Sequence, residues 1–149
     1  MILDFDWIQN IKGWTVVKFC AMTNDIIGET IRAARQGDLE TCKKTIDYAK
    51  HATRAELNAM RGLKDIAASI LVAAASTGQM SIVKYIIEHD HHPGRLKFGT
   101  IEDLPIYMAA KNDHMSICWC LIKCFPESQR SALESTAFAG IARRNISVP

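Results

Sequence analysis

The densest cluster of potentially reactive side chains is at residues 89–92, which have the sequence His-Asp-His-His. Imidazole and carboxylate groups are common ligands of transition metals, so such a cluster could hold a metal ion. The run leads directly into Pro93 and Gly94, however, a pair that is typical of turns. The adjacent His91 and His92 would point to opposite faces of an extended chain, and both could not easily reach one metal. We therefore expect neither a metal site nor a cofactor.

A second cluster contains three thiols, Cys118, Cys120 and Cys124. Cys120 and Cys124 are four residues apart and share one face of a helix, whereas Cys118 points elsewhere. Cys118 is also in register with Val83 of a similar segment, at a position with the pattern of a core residue. A buried cysteine packs as a small apolar side chain, so we expect core packing rather than zinc binding. A nucleophilic Cys–His pair stays open as an alternative, because a distant histidine could approach in three dimensions; the candidates are His51, His89 and His114.

Composition narrows the class of protein. The chain has 149 residues, which is one typical domain, and 48% of them are hydrophobic. Its formal net charge of +2 is too small to indicate nucleic-acid binding. The five cysteines are an odd number and accompany no export signal, so we expect reduced thiols and a cytoplasmic location. No segment approaches the roughly 18 apolar residues that cross a bilayer, so we expect no membrane insertion.

Three stretches of the chain are similar to one another and predict the elements that position these residues. They begin at residues 33, 74 and 109, and they read AARQGDL, AASTGQM and AAKNDHM. Apolar residues spaced by three and four positions lie on both sides of each stretch and predict two helices. The Gly of the first two copies, and Asp113 of the third, mark a tight break between those helices. Each copy is thus predicted to be a helix, a turn and a second helix.

The pattern resembles the ankyrin repeat, in which a Thr-Pro-Leu-His-x-Ala-Ala-x-x-Gly core precedes paired aliphatic residues. Residues 104–110 (LPIYMAA) match the first half of that core, and residues 78–87 (GQMSIVKYII) match the second. The resemblance implies an all-α fold, a stack of helical hairpins with capping helices at both ends. The repeats would cover residues 28–50, 68–90 and 103–124, with an N-terminal cap over 1–27 and a C-terminal cap over 127–144.

The connectors between the helix pairs depart from that family. Successive copies are 41 and 35 residues apart, whereas the ankyrin period is about 33. None of the copies keeps the Asp and Gly signature of the hairpin that joins ankyrin helix pairs. Another solenoid of helical hairpins is therefore an alternative fold.

In ankyrin-like stacks the first helices of the pairs line a concave surface, and the alignment of the copies assigns residues to it. Eight side chains are candidates for binding a partner; they are Arg32, Arg35, Gln36, Ser76, Thr77, Met108, Lys111 and Asn112, and Ala73 lies on the same surface. Their cationic, amide, hydroxyl and thioether groups suit a protein with an acidic or polar surface.

The sequence thus predicts a non-enzymatic, intracellular scaffold or adaptor that binds a protein through its concave surface. The resemblance to degenerate ankyrin proteins extends this to a pathogen or viral protein that acts on host proteins in the host cytoplasm. Two alternatives remain: an interaction domain of a larger enzyme, and a small enzyme that uses the Cys and His groups.

Overall fold

The structure is a computed structural model that describes residues 16–55, 65–89 and 104–147. Within these ranges all regular secondary structure is helical and no strand occurs, which confirms the all-α prediction. Seven helices follow one another in the described ranges; they are α1 (Val16–Gln36), α2 (Leu39–His51), α3 (Ile66–Thr77), α4 (Met80–Glu88), α5 (Leu104–Lys111), α6 (Met115–Lys123) and α7 (Glu127–Ser147). Among them, no helix has both the length and the hydropathy that spanning a bilayer requires.

The first six helices form three pairs, each joined by a tight turn of the same design. The turns pass through the left-handed region at Gly37 (φ 81°), Gly78 (φ 80°) and Asp113 (φ 65°). In each turn the next residue donates its amide to the carbonyl of the first paired alanine, at 2.8, 2.9 and 2.8 Å. This hydrogen bond satisfies an otherwise unpaired carbonyl at the end of the first helix. Each copy is therefore a helix, a turn and a second helix, as the sequence predicts.

The first helices of the pairs, α1, α3 and α5, lie side by side in chain order, and α7 packs against α5. Small side chains allow this close approach, because the paired alanines of all three copies are buried where the helices meet. The second helices α2, α4 and α6 pack against their own partners through apolar pairs. Cys118 is fully buried like Val83, so the predicted core role of this thiol is confirmed. Ile82 and Ile86 are buried as predicted, and Ile87 is half-buried.

Two buried threonines join α1 to α2. The Thr30 hydroxyl donates to the Ile26 carbonyl at 2.7 Å, and the Thr30 and Thr45 hydroxyl oxygens are 2.9 Å apart. Both side chains are fully buried, and each has a partner that satisfies it. The pair therefore fixes the two helices without leaving a polar atom unsatisfied.

The first and last described helices cross the boundaries predicted for the caps. α1 begins at Val16, so the predicted boundary between residues 27 and 28 lies within one continuous helix. α7 ends at Ser147, three residues beyond the predicted cap of 127–144. Leu133 and Ala137 are buried, so one side of α7 packs against the rest of the fold. The remainder of the N-terminal cap, residues 1–15, and most of the two connectors lie outside the described residues.

Candidate functional site

A groove of about 500 Å³ runs along α3 between α1 and α5. Each helix contributes side chains from one face, at helical spacing. α1 supplies Ile31 and Arg35, and α5 supplies Leu104 and Met108. The floor comes from α3 and the residue before it; it consists of Asp65, Ala68, Ser69, Val72, Ala73 and Ser76. The groove thus follows the row of first helices rather than any single repeat.

The middle of the groove is apolar. Ala68 and Ala73 are buried, and Val72 and Met108 are half-buried beside them. The Ser76 hydroxyl donates to the Val72 carbonyl at 2.7 Å, so its hydrogen is used within α3. An occupant would meet aliphatic carbons and a thioether here, and methionine adapts its shape to apolar groups.

One charged side chain lies at each end of the groove. Arg35 lies in the last turn of α1, and Asp65 immediately precedes α3. Asp65 occupies the N-cap position, but its carboxylate makes no capping hydrogen bond to its own helix. Both residues are exposed, and within the described part of the chain neither side chain has an ion-pair partner. The groove therefore has a cationic end and an anionic end.

Beyond the residues that line the groove, the same face of α1 contains an exposed glycine. Gly28 lies in the interior of α1, three residues before Ile31 and on the same face as Arg35. Its backbone φ is not in the left-handed region, so a side chain would cause no conformational strain. A Cβ at this position would meet no atom within 4 Å. Among the described residues, neither turn geometry nor packing requires glycine here.

The structure brings together some of the eight predicted binding residues. Arg35, Ser76 and Met108 line the groove with Ala73. The other five lie outside the groove lining; they are Arg32, Gln36, Thr77, Lys111 and Asn112. Whether any of them contacts a partner stays a prediction.

Several of those five have partners within their own helix. Arg32 forms an ion pair with Glu29 at 2.7 Å, at positions i and i+3 of α1. The Thr77 hydroxyl donates to the Ala73 carbonyl at 2.7 Å. The Asn112 side-chain amide donates to the Met108 carbonyl at 2.9 Å. Arg32, Thr77 and Asn112 therefore already have an ion-pair or hydrogen-bond partner close to them in the chain.

Sequence reasoning did not identify part of the groove, including Ile31, Ser69, Val72 and Leu104. The signal that finds them is helical spacing, since each lies three, four or seven residues before a predicted binding residue on the same face. Helical spacing does not identify Asp65, because this residue precedes α3 and lies at the end of a connector.

The described thiols lie apart from this groove. Burial, with a smaller effect of the Asp38 carboxylate, raises the pKa of Cys42 to about 12, and burial raises the pKa of Cys118 to about 11. Both thiols are therefore protonated at neutral pH, which disfavours nucleophilic attack. Burial also raises the pKa of Cys124, whose thiol donates to the Cys120 carbonyl at 3.2 Å. Among the described residues no histidine is hydrogen-bonded to a cysteine.

The histidine run is described only at His89. Its ring stacks on Tyr85 with centroids 4.2 Å apart, and its Nδ1 lies 3.0 Å from the Tyr85 carbonyl oxygen. Lys43 lies 5.4 Å from the centre of the same tyrosine ring. Residues 90–92 lie outside the described residues, and among those that are described no three ligands gather to hold a metal.

The groove brings together side chains of three successive first helices. No protein-family model, no curated protein and no solved structure matches the chain. The chemistry of the groove has to be interpreted from its own residues: an apolar floor with one charged side chain at each end, neither of them ion-paired within the described residues.

Proposed function

We propose that this chain is a non-enzymatic, ankyrin-like interaction module that binds a protein partner in the groove. The proposal rests on which helices supply the lining of the groove. Equivalent faces of three successive first helices meet there and present apolar floor, hydroxyl groups and end charges. Stacked repeats hold such residues on a rigid frame, which lowers the ordering cost of association.

The lining of the groove favours binding over catalysis. Its two ionisable groups, Arg35 and Asp65, lie at opposite ends and do not touch. Proton transfer and covalent catalysis need groups within hydrogen-bond reach of one another or of a common atom. The described thiols and imidazoles lie elsewhere in the fold. The groove thus has side chains suited to contact with a partner.

Three features support the ankyrin-like part of the proposal. The paired alanines are buried between neighbouring first helices, the turns share one left-handed geometry, and the pairs follow one another in chain order. The division into repeats at 28–50, 68–90 and 103–124, with caps at both ends, is part of the same proposal. The described cysteines are free thiols, which supports an intracellular site of action. Action on host proteins stays a prediction.

Affinity capture with charge reversal tests this proposal. The immobilised full chain, an Arg35→Glu/Lys111→Glu variant and a Lys84→Glu/Lys123→Glu control are each incubated with a cell lysate, and captured proteins are quantified by mass spectrometry. The control makes the same charge change at exposed positions on α4 and α6. We expect the control to keep the partners of the natural chain. The groove variant, which reverses the charge of Arg35 in the groove and of Lys111, a predicted binding residue outside the groove lining, should lose them. Equal capture by the groove variant, with unchanged circular dichroism, contradicts the proposal.

A further inference from the structure

We infer that the groove takes an extended peptide segment of its partner, held by one charge at each end and passing close to Gly28. A carboxylate of the peptide would lie at the Arg35 end, and a Lys or Arg would lie at the Asp65 end. Aliphatic side chains between them would contact Val72 and Met108. The inference rests on the proposed function and adds the chemistry and direction of the ligand.

The end charges are available for a ligand. Arg35 has five guanidinium donors that match a carboxylate, and in the described part of the chain they have no ion-pair partner. The Asp65 carboxylate is at a helix start, where such a group normally caps the helix, yet it makes no capping bond. Two opposite charges that face one groove, and that have no ion-pair partner among the described residues, define the polarity of an occupant.

Their separation sets the spacing in the peptide. Asp65 and Ser76 border the two ends of the floor, eleven residues apart along α3. At 1.5 Å per residue this is about 16 Å. An extended chain covers that distance in about five residues, at 3.3 Å each. The acidic and basic residues of the ligand are therefore expected about five positions apart.

The volume of the groove favours an extended chain. A helix about 10 Å wide and 16 Å long occupies roughly 1,200 Å³, and it would reach across that length in about eleven residues. The groove, of about 500 Å³, would enclose only part of such a helix. A helix would leave most of its surface outside, whereas an extended segment can place alternate side chains on the floor.

Gly28 indicates where the peptide backbone approaches α1. Glycine inside a helix destabilises it by about 1 kcal/mol relative to alanine. Its Cβ position here is empty, so contacts within the described chain do not explain the glycine. Glycine also permits close approach of a ligand to the backbone, and Gly28 lies on the groove face of α1. The peptide would fill the space above it.

Selection from a random library tests this ligand chemistry. A phage library of random 12-residue peptides is panned on the immobilised full chain, and enriched peptides are sequenced and synthesised. We expect an acidic and a basic residue about five positions apart, with aliphatic residues between. Affinities are then measured by fluorescence anisotropy for the natural chain and for three variants: Arg35→Glu, Asp65→Lys and Gly28→Ala.

Gly28→Ala is the most discriminating variant, because it should raise the melting temperature and lower the affinity for the peptide. The variant should melt about 3 °C higher, since alanine is the better helix former. It should bind the peptide about tenfold more weakly, because the added methyl group occupies ligand space. Arg35→Glu should recover affinity for a peptide whose acidic residue is replaced by Lys. A purely structural role of Arg35 would not produce that rescue.

The results separate this inference from the proposed function. Peptides that require the groove but show no charge spacing, or that bind Gly28→Ala equally well, overturn the inference and leave groove binding intact. Charges about eleven positions apart on one helical face would show a helical ligand and also overturn it. A library that yields no binder overturns it as well. Selected peptides that bind the Arg35→Glu/Lys111→Glu variant unchanged contradict both the inference and the proposed surface.

Discussion

The two turn glycines, Gly37 and Gly78, differ from Gly28 of α1 in backbone conformation and in the space around them. Gly37 and Gly78 lie in the left-handed region, and a Cβ on either would collide with a side chain of the next copy. Gly28 has ordinary helical geometry and open space around it. The fold itself explains the glycines of the turns. Contacts among the described residues do not require a glycine at position 28.

The turns form a row in which each copy covers the one before it. The Gln79 side chain lies over Gly37 and donates to the Arg35 carbonyl at 3.0 Å. One copy later, the His114 ring lies over Gly78. The third turn has Asp113 in the left-handed position, and α7 follows in place of a fourth pair. This explains why glycine occurs in the first two copies: it makes room for the next one.

Gly78→Ala is expected to have the largest effect on stability. The left-handed backbone costs an alanine about 1–2 kcal/mol. The new Cβ would also lie 2.8 Å from Cε1 of His114, and overpacking of this kind costs about 1–3 kcal/mol. The free energy of unfolding, measured in urea, should fall by about 3 kcal/mol. In a His114→Ala background, Gly78→Ala should lower the free energy of unfolding only by the cost of the left-handed backbone. An unchanged loss would show that the contact with the His114 ring is unimportant.

Gly140→Ala should have the next largest effect on stability. The cause is the close approach of α7 to α5 rather than backbone strain. A Cβ here would lie 2.7 Å from the Tyr107 carbonyl oxygen, a backbone atom that cannot move without α5. We expect a loss of about 2 kcal/mol in unfolding free energy, although alanine is the better helix former. Ala139→Leu, at the exposed neighbouring position, serves as the control and should change stability by less than about 0.5 kcal/mol. Equal stability of the Gly140→Ala variant would mean that α7 is not held closely against α5.

The sequence predicted the elements that depend on local chemistry. The helix pairs and their breaks follow from apolar spacing and from residues that tolerate positive φ. The core position of Cys118 followed from its register with Val83, because copies of one unit bury equivalent positions. The apolar side of α7 was likewise visible in the spacing of Leu133 and Ala137.

The sequence could not show features that depend on neighbouring helices. Matching the repeats started the first copy at residue 28, but α1 begins at Val16, since the repeat pattern does not report the start of a helix that precedes it. Gln79 and Gly37 are 42 residues apart, and their contact depends on how two copies stack. The open space beside Gly28 depends on which described residues pack near α1, so no single segment indicates it.

Gly37→Ala should lower stability less than Gly78→Ala does. The left-handed backbone again costs about 1–2 kcal/mol, but the colliding atom is Oε1 of Gln79, the mobile end of a flexible side chain. Gln79 can rotate away and lose only its bond to the Arg35 carbonyl, a hydrogen bond worth about 1 kcal/mol or less. A loss as large as that of Gly78→Ala would mean that Gln79 is as rigidly held as His114.

The same bond connects the row of turns to the groove, because Arg35 accepts it through its backbone and faces the groove through its side chain. The Gln79→Ala variant therefore tests whether the row of turns and the groove are independent. Its cost in urea unfolding should stay below about 1 kcal/mol. If the turn positions Arg35, the affinity for the selected peptide should fall by about threefold or more, whereas an unchanged affinity would show that the groove is shaped by the first helices alone.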